Sequence, residues 1–254
     1  MLVLLPPSEG KSGPARGKAL DLSSLSSPVL THPRQQLVDR LVGLCRHEPE
    51  QARAVLGLGP SQGDEVARNA RLLEAPTARA EQIYTGVLYA ALSLDQLSPG
   101  ARRRAGRWLV TTSSTFGLVR SSDRIPAYRL SGDVSLPGLG PVAAHWRRVL
   151  GPAVAEAAGD GVVLDLRSST YQAFWRPRGE LAARTVTARV VHEQEGRRTV
   201  VSHFNKATKG RLVRSLLEAS ASPRTVTGLV SALRDLGWRV DRAGSRLDIV
   251  VDEV

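Results

Sequence analysis

Three short hydrophobic runs stand out along the chain, at residues 2–5, 108–112 and 161–166. Each run is continuous and is bounded by proline, glycine or polar residues, which is typical of a strand buried on both faces of a sheet. Residues 184–193 and 198–204 alternate between hydrophobic and polar side chains and predict a hairpin. Residues 238–241 and 246–251 predict a second, smaller hairpin near the end of the sequence.

Hydrophobic residues three and four positions apart predict helices between these strands. The predicted helices cover residues 33–47, 62–73, 78–93 with a bend near Gly86, 96–105, 142–158 and 225–236. Residues 113–130 follow the second buried run and predict a long polar loop, a kind of segment that often carries function. We find no internal repeat and no linker long enough to force a domain boundary.

The stretch Ser202–Leu217 combines a strand end, two lysines and a helix. The chain has four lysines, and two of them, Lys206 and Lys209, lie here. A helix that begins near Gly210 would place Arg211 and Arg214 on its polar face. Backbone amides at a helix start, together with two lysines, predict a phosphate-binding site. The alternative interpretation is a solvated basic helix end.

The net charge of +11 says more about possible binding partners than the other bulk properties do. With a pI near 10.8, the surface favours polyanions such as nucleic acid or nucleotides, although a coding bias toward arginine would raise the charge in the same way. A single cysteine, Cys45, excludes an intramolecular disulfide and favours a reducing cytoplasm. The start of the sequence resembles a strand, so we expect neither a signal peptide nor a membrane span.

Several loops carry candidate chemistry. The Ser8–Lys11 loop lacks the first glycine of a nucleotide-binding P-loop, but Lys11 remains a candidate phosphate contact. In the 113–130 loop, Asp123 is either functional or the partner of Arg124 in a structural ion pair. The L-G-L-G turn at 56–59 predicts either a helix-hairpin-helix element or a plain turn.

Polar residues that follow predicted strands could also form an active site. The residues from which a catalytic site could be built are Ser8 or Glu9, Lys11, Asp123, Ser169, Tyr171 and Lys206. A lysine flanked by other cations can lose its proton and act as a base or nucleophile. The five histidines have no ligand spacing, so we expect no metal site, and no motif indicates a cofactor.

Together these segments resemble the YaaA family of bacterial peroxide-stress proteins. The motifs that carry the resemblance occur in the family's order: M-L-V-L-L-P-P-S-E-G-K, Y-T-G-V-L-Y, F-G-L-V-R-S-S-D-R-I-P-A-Y-R-L, L-D-L-R-S-S-T-Y and H-F-N-K-A-T-K-G-R, with a tryptophan helix around Trp146. The opening loop has S-E-G-K where the family more commonly has P-A-K.

The resemblance implies a single compact α+β domain over residues 1–254, with a mixed central sheet flanked by helices and a helix-hairpin-helix-like element. It also implies a cytoplasmic protein with a positively charged cleft that binds duplex or locally opened DNA, and an indirect link to intracellular iron. The expected phosphate-binding residues are Lys11, Arg120, Arg124, Lys206, Lys209, Arg211 and Arg214.

Two further functions stay open at this point. The first is an enzyme that acts on a nucleotide or nucleobase, with its phosphate held by the same lysines. The second is a structural partner in a larger repair assembly. Polar groups that converge from strand ends would favour the enzyme, whereas a basic surface that extends beyond one pocket would favour the DNA-binding protein.

Overall fold

The central strand of the sheet is β1 (Leu2–Leu5), whose four residues are all buried. The computed structural model describes residues 1–194, 197–200, 205–219 and 221–252. β1 pairs in parallel with the strand that begins at Leu109 on one side and with the strand that begins at Val163 on the other. The three continuous hydrophobic runs of the sequence therefore form adjacent strands.

In chain order the helices are α1 (Thr31–His47), α2 (Pro49–Val55), α3 (Gly63–Ala70), α4 (Ala80–Ile83), α5 (Val87–Leu92), α6 (Pro99–Trp108), α7 (Val142–Ala158), α8 (Ser169–Gln172), α9 (Gly179–Ala183), α10 (Asn205–Glu218) and α11 (Val226–Asp235). The remaining strands are β2 (Ala78–Arg79), β3 (Leu109–Ser113), β4 (Gly117–Arg120), β5 (Arg124–Ile125), β6 (Ser135–Leu136), β7 (Gly140–Pro141), β8 (Val163–Asp165), β9 (Thr185–Gln194), β10 (Arg197–Val200), β11 (Arg239–Ala243) and β12 (Arg246–Val251).

In the described part of the chain the main sheet has eight strands, in the order β11-β12-β9-β8-β1-β3-β4, with β10 paired to β9. The pairs from β12 to β3 are parallel, whereas β4, β10 and β11 are antiparallel to their neighbours. The expectation of a mixed central sheet flanked by helices is confirmed. Because the central strands are parallel and helices connect them, the domain is α/β rather than α+β.

Alternate residues of β1 face two separate hydrophobic cores. Leu2 and Leu4 pack in the core that includes α1 and α7, and Val3 and Leu5 pack in the core that includes α6, α10 and α11. Since each face of the strand is covered by helices, a continuous hydrophobic run is required here. Since both faces of β1 are covered, side chains that serve a site on this strand must follow its end rather than lie on a face.

Two sequence-based expectations differ from the structure. The predicted loop 113–130 contains β4, which pairs antiparallel with β3, and residues 113–119 are buried. Because this short strand is buried on both faces, its sequence does not alternate between hydrophobic and polar residues. The helix expected to begin near Gly210 begins at Asn205, so Lys206 and Lys209 lie within α10. Residues 202–204 of the same predicted stretch lie outside the described residues.

At Gly210 the helices α10 and α5 approach each other closely. A Cβ atom at this position would overlap the carbonyl oxygen of Leu88 and lie 2.9 Å from the Cβ of Ala91. Because Gly210 has no side chain, the part of α10 that carries both lysines can pack directly against α5.

We predict that Gly210→Ala destabilises the protein by about 1–3 kcal/mol, because the added methyl forces two packed helices apart. Gly43→Ala is the matched control, since Gly43 lies inside α1 with no atom within 4 Å of its would-be Cβ. That change should be neutral or stabilising by up to about 1 kcal/mol. Urea unfolding of the three proteins measures both effects, and equal stabilisation by the two changes would show that the helices do not meet at Gly210.

Candidate functional site

A cleft of about 430 Å³ opens where the carboxyl ends of β1, β3 and β8 meet, and we call it the strand-end cleft. It is lined by residues 6–11, 85–89 and 129–131, together with Ser168, Tyr171 and Lys206. These residues come from the loop after β1, the start of α5, the end of the 113–130 segment, the loop after β8, and α10. Ligand sites in open parallel sheets form at the same place, outside the carboxyl ends of the strands.

Lys11 is the most unusual ionisable group of the cleft. Its Nζ donates to the carbonyl oxygens of Ser8 at 2.8 Å and Glu9 at 3.2 Å, and lies 4.3 Å from the centre of the Tyr128 ring. Burial, followed by the charge of Arg129, lowers the pKa of Lys11 from its ordinary value of 10.5 to about 7. At neutral pH the amine is therefore divided between its charged and neutral forms.

Arg129 and Glu9 form an ion pair on the cleft wall, with 2.7 Å between the guanidinium nitrogen and the carboxylate oxygen. The buried side chain of Asn69 on α3 positions Arg129, because it donates to the carbonyl oxygen of Arg129 at 2.6 Å and accepts from its backbone amide at 2.9 Å. Hydrogen bonding to Arg129 lowers the pKa of Glu9, so this carboxylate stays ionised at neutral pH. Because Glu9 is exposed, the pair adds little stability.

All four tyrosines of the chain lie in or beside the cleft. The Tyr84 hydroxyl is 3.1 Å from that of Tyr128, and the Tyr84 ring stacks on Tyr89 with 5.4 Å between centres. Tyr89 donates to the carbonyl oxygen of Pro6 at 2.8 Å, which fixes the start of the loop that carries Lys11. Burial raises the pKa of Tyr171, which lines the cleft, to about 12, so its hydroxyl keeps its proton.

The end of β8 is held by a buried ion pair between Asp165 and Arg167, whose side chains are 2% and 1% exposed. Arg167 also donates to the carbonyl oxygens of Tyr171 at 3.0 Å and Trp175 at 2.9 Å. It therefore satisfies the carboxylate and fixes the course of residues 168–175, which include a wall of the cleft. Behind this wall, Lys209 donates to the carbonyl oxygen of Leu166 at 3.3 Å, and burial lowers the pKa of Lys209.

The structure brings Glu9, Lys11, Tyr171 and Lys206 of the predicted catalytic set together in the cleft, along with Ser8. Ser169 begins α8, next to the lining residue Ser168. Asp123 lies elsewhere, where it accepts from the hydroxyl of Ser26 at 2.7 Å and from the amide of Arg120 at 2.9 Å. These contacts, rather than an ion pair with Arg124, fix the turn after β4.

Among the predicted phosphate-binding residues, Lys11 and Lys206 line the cleft, Lys209 lies behind it, and Arg211 is exposed on α10. The other three arginines donate to backbone carbonyls away from it. Arg120 contacts Arg107 at the end of α6, Arg124 contacts Thr77 before β2, and Arg214 contacts Ser93 after α5. Their guanidinium groups have structural partners and do not face the strand-end cleft.

Sequence reasoning missed Arg129, Asn69 and Tyr89 as parts of the site. Arg129 belongs to the 113–130 segment that we expected to be functional, but no pattern distinguishes it from Arg120 and Arg124. Asn69 and Tyr89 lie inside the predicted helices 62–73 and 78–93, where no pattern distinguishes them from their neighbours. Only the tertiary pairing of α3, α5 and the strand ends places them together.

A second basic surface lies beside the cleft wall, and we call it the arginine groove. It has a volume of about 320 Å³ and includes Arg147 and Arg148 of α7 with Arg176 and Arg178 beyond Trp175. All four arginines are exposed, and none forms an ion pair with an acidic side chain of the described residues. Residues 168–178 thus run from the strand-end cleft to the arginine groove.

Within the residues that the structure describes, no group of three histidine, cysteine or acidic side chains is arranged to hold a metal ion. In the same part of the chain, no helix has the length and hydrophobicity needed to cross a membrane.

The sequence is similar to those of other bacterial proteins over nearly its full length. The model of the family described as peroxide stress protein YaaA matches residues 1–243, a range that includes every residue lining the cleft. A UPF0246 protein of Streptomyces coelicolor is 53% identical, with 100% of both chains covered. UPF0246 proteins of Corynebacterium efficiens and Corynebacterium glutamicum are 39% and 37% identical, each over 95% of this chain and 95% of its own.

We predict that the Lys11 amine titrates with a midpoint at about pH 7. Carbon-13 labelling of lysine gives four side-chain signals to follow, since the chain has four lysines, and Lys11→Met assigns the one that disappears. A midpoint near 10.4, the value of an unperturbed lysine, would contradict the prediction. Because the folded pKa is lowered, the unfolded chain binds more protons between about pH 7 and 10.5, so the contribution of Lys11 to stability should rise with pH through this window.

Proposed function

Because the chain belongs to the peroxide stress protein YaaA family, we propose that it binds DNA as part of the peroxide stress response. One observation carries the proposal: Lys11, Arg129 and Lys206 converge in the strand-end cleft, where Glu9 is the single acidic residue among the described lining residues. Such a cluster attracts a phosphate group more strongly than the scattered charges of the remaining surface do.

The size of the cleft favours locally opened DNA over an intact duplex. A volume of about 430 Å³ lies within the range of small-molecule sites and suits a single nucleotide. The major groove of B-DNA alone is about 12 Å wide, so a cleft of this volume cannot enclose a duplex segment. A nucleotide turned out of the stack could enter it, at a cost of a few kcal/mol that is smallest where the base is already unpaired.

The aromatic residues of the cleft support the same interpretation. Tyr171 and Tyr89 line the cleft and offer surfaces on which an unpaired base could stack. Tyr171 packs against Phe174, with 5.0 Å between ring centres, so its ring is held in place before any ligand arrives. Stacking of this kind contributes about 1–3 kcal/mol per base and tolerates any sequence.

The arginine groove supports binding to an extended polyanion. Its exposed guanidinium groups lie at the far end of residues 168–178, beyond the wall that Tyr171 contributes to the cleft. A strand with its nucleotide in the cleft could place neighbouring phosphates along this groove. Arginine suits such a role because its planar fork can donate two hydrogen bonds to one phosphate.

The L-G-L-G turn between α2 and α3 contributes less to this proposal. A helix-hairpin-helix element would offer free backbone amides to a phosphate. Here the amide of Gly57 donates to Ala54 at 3.1 Å, that of Leu58 to Arg53 at 2.9 Å, and that of Gly59 to the side chain of Gln62 at 3.0 Å. We therefore assign the main DNA contact to the cleft and the arginine groove.

The second candidate function is an enzyme that acts on a nucleotide or nucleobase. It is favoured by the near-neutral pKa of Lys11 at a site where polar groups converge from several strand ends. The two functions share the same bound group and differ in whether a bond changes after binding.

We predict that Lys206→Gln reduces the slope of log affinity against log salt by about one, because one phosphate contact is lost. Lys206 is the exposed lysine of the cleft. Arg103→Gln removes the same charge from α6, which leads to the start of β3 rather than to its carboxyl end, and should leave the slope unchanged. Fluorescence anisotropy with a labelled DNA that contains an unpaired bubble, across a salt series, measures the slopes, and equal decreases in both variants would indicate unspecific charge attraction only.

We predict that Tyr171→Leu weakens binding to DNA that contains an unpaired bubble by about 1–3 kcal/mol, and weakens duplex binding much less. Tyr171→Phe retains the ring and its contact with Phe174, so it should bind both DNAs like the unaltered protein. The same anisotropy assay with the two DNAs gives the comparison. An equal loss on duplex and bubble would overturn the assignment of an unpaired base to the cleft.

A further inference from the structure

Lys11 is placed for more than charge attraction. A lysine that only holds phosphate gains from exposure, as at Lys206, whereas Lys11 is partly buried against a tyrosine ring. Its Nζ has carbonyl oxygens of Ser8 and Glu9 as hydrogen-bond partners and forms no ion pair with a carboxylate of the described residues. The charges of Glu65 and Glu9 favour the protonated amine, but burial and the charge of Arg129 outweigh them and lower its pKa. A deprotonated lysine is a nucleophile.

We propose that Lys11 forms an imine with a phosphorylated sugar aldehyde bound in the strand-end cleft. The nitrogen of the neutral amine attacks the aldehyde carbon, and a carbon–nitrogen double bond finally replaces the carbon–oxygen double bond. The oxygen leaves as water with the two hydrogens of the amine, and the imine takes up a proton from solvent. The step needs no oxidant, reductant or metal ion.

The remaining groups of the cleft fit this class of ligand. Lys206 and Arg129 lie on the cleft walls and could hold the phosphate while the aldehyde faces Lys11. The Tyr171 hydroxyl keeps its proton because burial raises its pKa, so it can donate a hydrogen bond to the oxygen that becomes negatively charged during the attack. The cleft volume of about 430 Å³ accommodates a sugar phosphate.

Two sources supply the same chemistry. In DNA, a nucleotide that has lost its base opens to an aldehyde that retains a phosphate on each side. Free 2-deoxyribose 5-phosphate carries the same aldehyde and one phosphate. The DNA source rests on the proposed DNA binding, whereas the free sugar phosphate does not.

The experiment is reductive trapping with sodium cyanoborohydride, which converts an imine into a stable amine. The protein is incubated at pH 7 with an oligonucleotide that contains a single abasic site or, separately, with 2-deoxyribose 5-phosphate. Peptide mass mapping then locates the adduct among the four lysines. Binding to an oligonucleotide with a non-reacting tetrahydrofuran abasic analogue is measured in parallel by anisotropy.

We expect the adduct on Lys11 in about tenfold or greater excess over the other lysines, because an ordinary lysine with a pKa of about 10.4 is almost fully protonated at pH 7. Lys209, whose pKa burial also lowers, does not line the cleft. Lys11→Arg keeps the charge and should abolish trapping, whereas Lys18→Arg, a change to an exposed lysine outside the cleft, should leave it unchanged. The unfolding midpoint of each variant in urea checks that it folds. The mapping of the unaltered protein decides the question even if Lys11→Arg does not fold.

The outcomes separate this inference from the proposed function. Binding to the tetrahydrofuran DNA without trapping of either aldehyde would overturn the imine and leave DNA binding in place. Trapping of the free sugar phosphate on Lys11 without DNA binding would support the imine and overturn the proposed function. Labelling spread evenly over the four lysines would overturn the inference.

Discussion

The site depends on the parallel pairing of β1 with β3 on one side and β8 on the other. Parallel strands end at the same edge of a sheet, so three loops from distant parts of the chain must meet there. The strands are short and buried, and polar side chains follow within three residues of each strand end, at Ser8, Ser114 and Arg167. The hydrophobic cores on the two faces therefore determine where the strand-end cleft lies before any of its polar residues is considered.

Burial has different consequences for two cations near this edge, Arg167 and Lys11. Arg167 is nearly inaccessible to solvent, but its guanidinium group donates hydrogen bonds to Asp165 and to two carbonyl oxygens. Removing one partner would leave a buried charge unpaired, which typically costs about 3–5 kcal/mol. Lys11 has carbonyl oxygens and a tyrosine ring but no paired carboxylate among the described residues, so burial favours its neutral form. The first cation builds the wall of the cleft, and the second is available for chemistry within it.

The sequence predicted the hydrophobic framework well, since the strands β1, β3 and β8 and the helix α7 lie where the continuous and periodic patterns indicated. It could not distinguish Arg129 from Arg120, although both belong to one segment. Antiparallel β4 carries Arg120 back toward the start of β3, and the side chain of Asn69, sixty positions before Arg129, holds the backbone of Arg129 beside the cleft. Contacts between positions so far apart leave no periodicity in the sequence, so the sequence offered Lys11 and Lys206 as candidates but not their neighbours.

Arginine and lysine have different roles in this protein, so the net charge alone does not show where a ligand could bind. Buried Arg34 donates to the carbonyl oxygens of Ser26, Phe116 and Leu118, and Arg214 caps the end of α5, so much of the positive charge is structural. Three of the four lysines, in contrast, gather at the carboxyl ends of the central strands. An arginine can satisfy several carbonyl oxygens with its rigid fork but cannot lose its proton, whereas a lysine can. At Lys11, charge and reactivity are therefore separable properties of one position, and the proposed phosphate binding and the proposed imine each depend on one of them.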